Sequence, residues 1–179
     1  MAKEIERRFT PITKDHAQLI IAYMNPQFLK YQHQLIVQGY FEVSDPTRSF
    51  RVRIKSGAGD KQKAFLTVKS GKGLIREELE KEIDLEMGNT LIDISHHIVA
   101  KTRFYVEGWE IDVFHEPLNG VVLMEKEMST PNELVELPPL LKSLFGEVKE
   151  VTNSLSNFHL ARLATDLKGF NIPALPFVS

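Results

Sequence analysis

Charged residues recur two positions apart in run after run of this chain, and most runs keep to one sign. Arg51, Arg53 and Lys55 form one such run. Lys101 and Arg103 form another, and Glu110 with Asp112 and Glu125 with Glu127 are acidic counterparts. Two runs mix signs: Glu4, Glu6 and Arg8 near the start, and Arg76, Glu78, Glu80 and Glu82 further on. The opposite faces are largely apolar: Val52 and Ile54, Leu79 and Ile83, Phe104 beside Thr102, Trp109, Ile111 and Val113, Met124 and Met128. A period of two is the period of a β-strand, whose side chains alternate between faces. Each run therefore predicts a strand with one face charged and the other apolar. An ordinary solvated face mixes Thr, Ser, Gln and Asn with its charges; these faces are nearly pure Asp, Glu, Arg and Lys.

Turn and cap signals separate the runs. Thr13 reads as a helix N-cap, with Ala17, Ile20, Ile21 and Met24 at helical spacing and a stop at Pro26. Strands are expected at Gln34 to Val43, Phe50 to Lys55, Ala64 to Lys69 and Ile75 to Ile83. Hairpin signals stand at 57–60 and 70–73. Thr90 reads as the cap of a short helix through Ala100, which includes His96 and His97. Further strands are expected at Lys101 to Val106, Trp109 to Phe114 and Val121 to Met128. Thr130-Pro131 reads as the start of another helical region. A C-terminal helix is expected over about 153–168, before a proline-containing tail at 169–179. The whole of 1–179 reads as a single domain of the α+β class.

About eight strands joined by short turns favour an antiparallel barrel with helices packed outside. Helices covering the apolar outer surface would turn the charged face inward. A barrel of about eight strands has an interior just wide enough for one small ligand. Charges in such an interior are costly unless matched. The bases call for a dense anion, and the clustered acids for a hard divalent cation. A metal-bound polyphosphate satisfies both. On this reading Glu4 and Glu6 are candidate metal ligands and Arg8 a candidate for the phosphate.

Other chemistries find no support. With 179 residues and a formal net charge of −2, the chain has no bulk attraction for nucleic acid or anionic membranes. It has no cysteine, hence no disulfide or thiolate metal site. There is no P-loop signature, no HExxH frame around His96-His97 and no nucleophile elbow. The six histidines are scattered. The expectation is a cytoplasmic protein, a monomer or homodimer, with no nucleic-acid or membrane partner.

The runs resemble those of the CYTH domain proteins, the triphosphate tunnel metalloenzymes. The family's N-terminal ExExK appears as Glu4-Ile5-Glu6-Arg7-Arg8, with arginine in place of lysine. Gln38-Gly39-Tyr40, Arg51-Val52-Arg53, Thr67-Val68-Lys69, the Arg76 to Glu82 alternation, Lys101-Thr102-Arg103, Glu110-Ile111-Asp112 and Glu125-Lys126-Glu127 follow in the family's order. A second departure is Ser154-Leu155-Ser156-Asn157, which lacks a tyrosine before the asparagine.

The resemblance implies an eight-stranded antiparallel tunnel that binds a triphosphate-containing small molecule with Mg²⁺ or Mn²⁺. By analogy Glu4, Glu6, Glu125 and Glu127 hold metal. Asp112, Glu78 and Glu80 are further ligands or orient water. Arg8, Arg51, Arg53, Lys69, Arg76, Lys101 and Arg103 hold phosphates. Glu127 is the candidate proton acceptor, and Arg8 and Arg53 join it as catalytic candidates. The implied activity is metal-dependent triphosphate hydrolysis, with inorganic tripolyphosphate as the leading substrate. The alternatives are a class IV adenylyl cyclase, a thiamine or nucleoside triphosphatase, or a polyphosphate-binding protein without catalysis.

Overall fold

A computed structural model describes residues 2–24, 30–57, 61–71 and 74–168. The strands are β1 (Ala2–Pro11), β2 (His33–Phe41), β3 (Arg48–Gly57), β4 (Lys63–Ser70), β5 (Ile75–Ile83), β6 (His97–Val106), β7 (Trp109–Phe114), β8 (Val122–Glu127) and β9 (Val148–Glu150). The helices are α1 (Lys14–Met24), α2 (Leu85–Asp93), α3 (Pro139–Phe145) and α4 (Asn157–Lys168). The strands run antiparallel in the order β5-β4-β3-β2-β6-β7-β8-β1, and a β5–β1 pairing closes an eight-stranded barrel. One strand makes the closure. The first part of β1 pairs with β5, Glu4 opposite Arg76, and its middle with β8, Glu6 opposite Glu127. Its last residues pair with the short β9, a strand the sequence pattern does not announce.

Register is set by tight turns. Between β6 and β7 only Glu107 and Gly108 intervene, both with positive φ (49° and 77°). A two-residue hairpin with both central residues left-handed matches the strand twist, and glycine takes that conformation without cost. The turn places Arg103 opposite Asp112 and Tyr105 opposite Glu110.

Over β6, β7 and β8 the outer face of the barrel is apolar and covered. Phe104, Val106, Trp109, Ile111, Val122 and Met124 pack against Ala17, Ile20 and Met24 of α1 and Leu141 and Phe145 of α3. Trp109 is 2% exposed, so it belongs to the core. At one end the inner face also turns apolar. Tyr40, Val99, Phe114 and Leu123 lie in alternation with Gln38, Lys101, Asp112 and Glu125, and they meet Leu160, Ala161 and Ala164 of α4. Helix α4 thus lies across that end of the barrel.

Several element boundaries differ from the sequence expectation. Helix α2 starts before Thr90. Asp84 caps it, with Oδ1 accepting from the Met87 amide at 2.8 Å, and Thr90 is mid-helix, its hydroxyl donating to the Glu86 carbonyl. Gly88 permits the close seat of this helix, since a Cβ there would stand 2.4 Å from Ala64 Cβ. His97 to Ala100 are strand, paired with Tyr40 to Val37, so His97 is not helical. The region from Thr130 is irregular until α3, whose start is marked by Pro138 at the cap and Pro139 at the first helical position. Helix α4 begins at Asn157, four residues after the expected start, with Ser156 Oγ accepting from the His159 amide at 3.2 Å. The tail at 169–179, the stop at Pro26 and parts of two hairpin loops lie outside the described residues. Among the described residues no helix is long and apolar enough to cross a membrane.

Candidate active site

The charged face points inward and lines a cavity of about 1370 Å³. Glu4, Glu6 and Arg8 of β1, Arg51 and Arg53 of β3, Lys69 of β4, Arg76, Glu78 and Glu80 of β5, Arg103 of β6, and Glu125 and Glu127 of β8 all line it. Two expected residues do not. Lys101 and Asp112 are fully buried, joined to each other, and lie behind the wall.

Acids and bases neutralise one another across the strand pairs. Lys69 Nζ donates to both Glu4 oxygens at 2.6 and 2.8 Å and lies 2.8 Å from Glu78. Arg76 sits 3.3 Å from Glu4 and 3.4 Å from Glu6. Arg51 lies 3.6 Å from Glu78 and 3.8 Å from Glu80. Arg103 grips Asp112 with two bonds of 2.7 Å and also reaches Glu110 and Glu125. Such bidentate, charge-assisted pairs are the strong class of hydrogen bond. Burial alone would raise the Glu125 carboxyl, but Arg103, Lys101 and Arg8 outweigh it and hold it well below the usual range.

Arg53 breaks this pattern. It is 7% exposed, its Nε donates to Gln38 Oε1 at 3.2 Å, and it has no carboxylate within ion-pairing distance among the described residues. Burial, with Arg51 and Arg103 beside it, lowers its pKa to about 10. A buried cation crowded by cations is short of counter-charge, which an anion could supply. On the acidic side Glu127 is the counterpart. It faces Glu6 across β1–β8 and makes no ion pair among the described residues. Burial, then Glu125 and Glu4, raise the Glu6 carboxyl to about 7, despite Arg8 Nε at 3.1 Å. That approach is electrostatic only, since the buried Arg8 Nε–H has no acceptor in hydrogen-bonding geometry.

Arg8 has a further task. Its terminal nitrogens donate to the carbonyls of Leu155 (2.7 Å) and Thr152 (3.3 Å), and its amide donates to Thr152 Oγ1. The two departures from the family pattern, Arg8 and the segment without tyrosine, therefore touch each other. Asn157 completes the joint, accepting from Lys101 Nζ at 2.8 Å and donating to Glu125 Oε1 at 3.0 Å. Lys101 and Asp112 thus hold α4 and the Arg103–Glu125 pair in place. Replacing Lys101 with Met should cost about 3–5 kcal/mol, because Asp112 and Asn157 lose a buried partner. Urea unfolding measures it, and a loss below about 1 kcal/mol would deny the network its structural weight.

Gln38, Tyr40, Glu110, Thr152 and Asn157 also line the cavity or hold its wall, although no role was assigned to them from sequence. Gln38 and Tyr40 share the period-two signal, Gln38 Nε2 donating to Tyr40 Oη at 2.9 Å. Thr152 and Asn157 stand in or beside an irregular segment that carries no period.

The donor chemistry fits a hard divalent cation: Glu4, Glu6, Glu125 and Glu127 offer only carboxylate oxygen, with like charges directly opposed at Glu6–Glu127. They are not gathered into a coordination cluster among the described residues, since most are held by bases.

No protein-family model and no curated protein matches the chain. Solved structures do. The hypothetical protein NE1496 matches with 25% identity and TM-score 0.50, over 88% of this chain and 97% of that one. A second structure of that protein describes it as an inorganic triphosphatase. HpAC1 from Hippeastrum, described as an adenylyl cyclase candidate with a dominant triphosphatase activity, matches with 18% identity and TM-score 0.57, over 89% of this chain and 95% of that one. An adenylate cyclase candidate from Vibrio parahaemolyticus matches with 11% identity and TM-score 0.52, over 90% and 98%. The chain has the fold of the triphosphate tunnel metalloenzymes.

Proposed function

We propose that the barrel interior binds a triphosphate and hydrolyses it, with inorganic tripolyphosphate as the substrate. The observation that carries this reading is Arg53, a buried guanidinium with no carboxylate partner among the described residues, in a cavity it shares with Arg51 and Arg103. The similarity to NE1496 agrees with it.

Arg53 would take phosphate oxygens first. Arg51, Lys69, Arg76 and Arg103 would then exchange part of their carboxylate contacts for the ligand, so charge stays balanced throughout. Arg8 would contribute charge near Glu6 while fixing the 152–155 segment. Glu4, Glu6, Glu125 and Glu127 are the residues that would hold Mg²⁺ or Mn²⁺, with Glu78 and Glu80 nearby and Asp112 acting through Arg103. The bound cation would neutralise phosphoryl oxygens and make water a better nucleophile. Glu127, without an ion pair among the described residues, is the carboxylate suited to accept the water's proton. Hydrolysis adds one water across a P–O–P bridge and releases orthophosphate and pyrophosphate. Positioning and charge supply most of the acceleration in phosphoryl transfer.

The aromatic part of the cavity lining favours a second reading. Tyr40, Phe41 and Phe158 line the cavity beside His159 and Arg162, a setting suited to an organic group carried by a triphosphate, as in a class IV adenylyl cyclase or a thiamine or nucleoside triphosphatase. A substrate panel with Mg²⁺ and Mn²⁺, scoring phosphate release and cyclic AMP separately, decides. The expected result is phosphate from tripolyphosphate and no cyclic AMP. Cyclic AMP from ATP would install the cyclase, and binding without turnover would leave a polyphosphate-binding protein.

A further inference from the structure

At the end of the barrel away from α4, a second cavity of about 400 Å³ opens between Gln34, Lys55, Gly57, Lys61, Lys63 and Phe65. We propose that Lys55, Lys61 and Lys63 form a distal phosphate subsite there, for linear inorganic polyphosphates longer than three phosphates. The inference rests on the triphosphate reading of the main cavity.

The subsite continues a row of cations. Arg51, Arg53 and Lys55 alternate along the inner face of β3; the first two line the main cavity and Lys55 lines the second. Residues of one strand face recur about every 6.6 Å, so Arg51 and Lys55 stand about 13 Å apart along the strand. A chain of three phosphates is shorter than that row, and a longer one reaches its end. Lys63 lies directly opposite Lys55 in the β3–β4 register. Like charges directly opposed across strands destabilise a sheet, and an anion held between them removes the repulsion.

Among the described residues, two acids, Glu80 and Glu82, stand near the three lysines. Lys55 Nζ is 3.8 Å from Glu80 Oε1 and 4.5 Å from the Phe65 ring centre. Lys63 Nζ is 3.3 Å from Glu82 Oε2, and Lys61 has no ion pair among the described residues.

Calorimetric titration of tripolyphosphate and of size-fractionated linear polyphosphate tests the subsite, with phosphate release measured in parallel. The proteins are the parent, the double variant Lys61→Ala/Lys63→Ala, and Lys149→Ala as an exposed control on β9. The double variant should bind the long chain about fivefold more weakly, the scale of two exposed charges. Its tripolyphosphate affinity should stay within about twofold, and Lys149→Ala should change neither. Equal weakening toward both ligands, or none toward the long chain, overturns the subsite. A parent that binds both ligands without releasing phosphate loses the hydrolase reading, while the affinity ratio still judges the subsite. A parent that binds neither loses both.

Discussion

Replacing Arg53 with Met should lower kcat/KM for tripolyphosphate by roughly 10²–10³-fold, the scale of losing one preorganised electrostatic group. The methionine keeps an apolar stem and removes the charge. Tripolyphosphate should raise the parent's Tm by linkage, and that rise should vanish in the variant. The ligand-free melt is the control. Among the described residues Arg53 holds no carboxylate, so its removal breaks no ion pair there and leaves Gln38 Oε1 without its donor. The ligand-free Tm should therefore shift by only a few degrees. A ligand-induced rise as large in the variant as in the parent would place the anion elsewhere.

Glu6→Gln should have two opposite effects. Activity should fall by about 10²-fold or more, because a carboxylate at the proposed cation site is lost. Ligand-free stability, in contrast, should rise at alkaline pH. Burial and the neighbouring acids push the Glu6 carboxyl up to about 7 from its ordinary 4.5, so the native state holds this proton more tightly than the unfolded chain. Stability linked to it is complete below about pH 4.5, falls as pH rises to about 7, and stays lost above. The difference amounts to roughly 3 kcal/mol. Glutamine is neutral throughout and avoids the loss. Melts at pH 5 and pH 8 in the presence of a chelator should show the variant close to the parent at the lower pH and more stable at the higher. Glu110, also raised by burial, is common to both proteins and cancels. Glu125 is held low, so its contribution changes only below this window. A variant less stable than the parent at pH 8 would mean that the Arg8 and Arg76 contacts outweigh burial and the neighbouring acids.

The barrel was legible in the sequence because its physics is periodic. Alternation at Arg51 to Lys55, Lys101 to Arg103 and Glu110 to Asp112 fixes both strand and face, and closure follows once the apolar outside has helices to cover it. The charged wall was legible for the same reason. What escaped was decided by contacts between distant segments. Thr90 looks like a cap, but Asp84 provides one, and pairing with β2 makes strand of His97 to Ala100. Lys101 and Asp112 share the inward period with the cavity residues, yet they sit where Phe114, Leu123 and α4 have closed the end of the barrel. Period alone cannot say how far along the barrel the open space extends. The tie from Arg8 to Thr152 and Leu155 spans over 140 residues and ends on backbone carbonyls, which no side-chain pattern records.

The most direct measurement is a phosphorus NMR time course of tripolyphosphate with the parent and Arg53→Met side by side, before and after Mg²⁺ or Mn²⁺ is added. The account predicts that the parent converts tripolyphosphate to equal amounts of orthophosphate and pyrophosphate once the cation is present, while the variant leaves it nearly unchanged on the same timescale. Unaltered tripolyphosphate in the parent with either cation, or conversion at the same rate by both proteins, would contradict it.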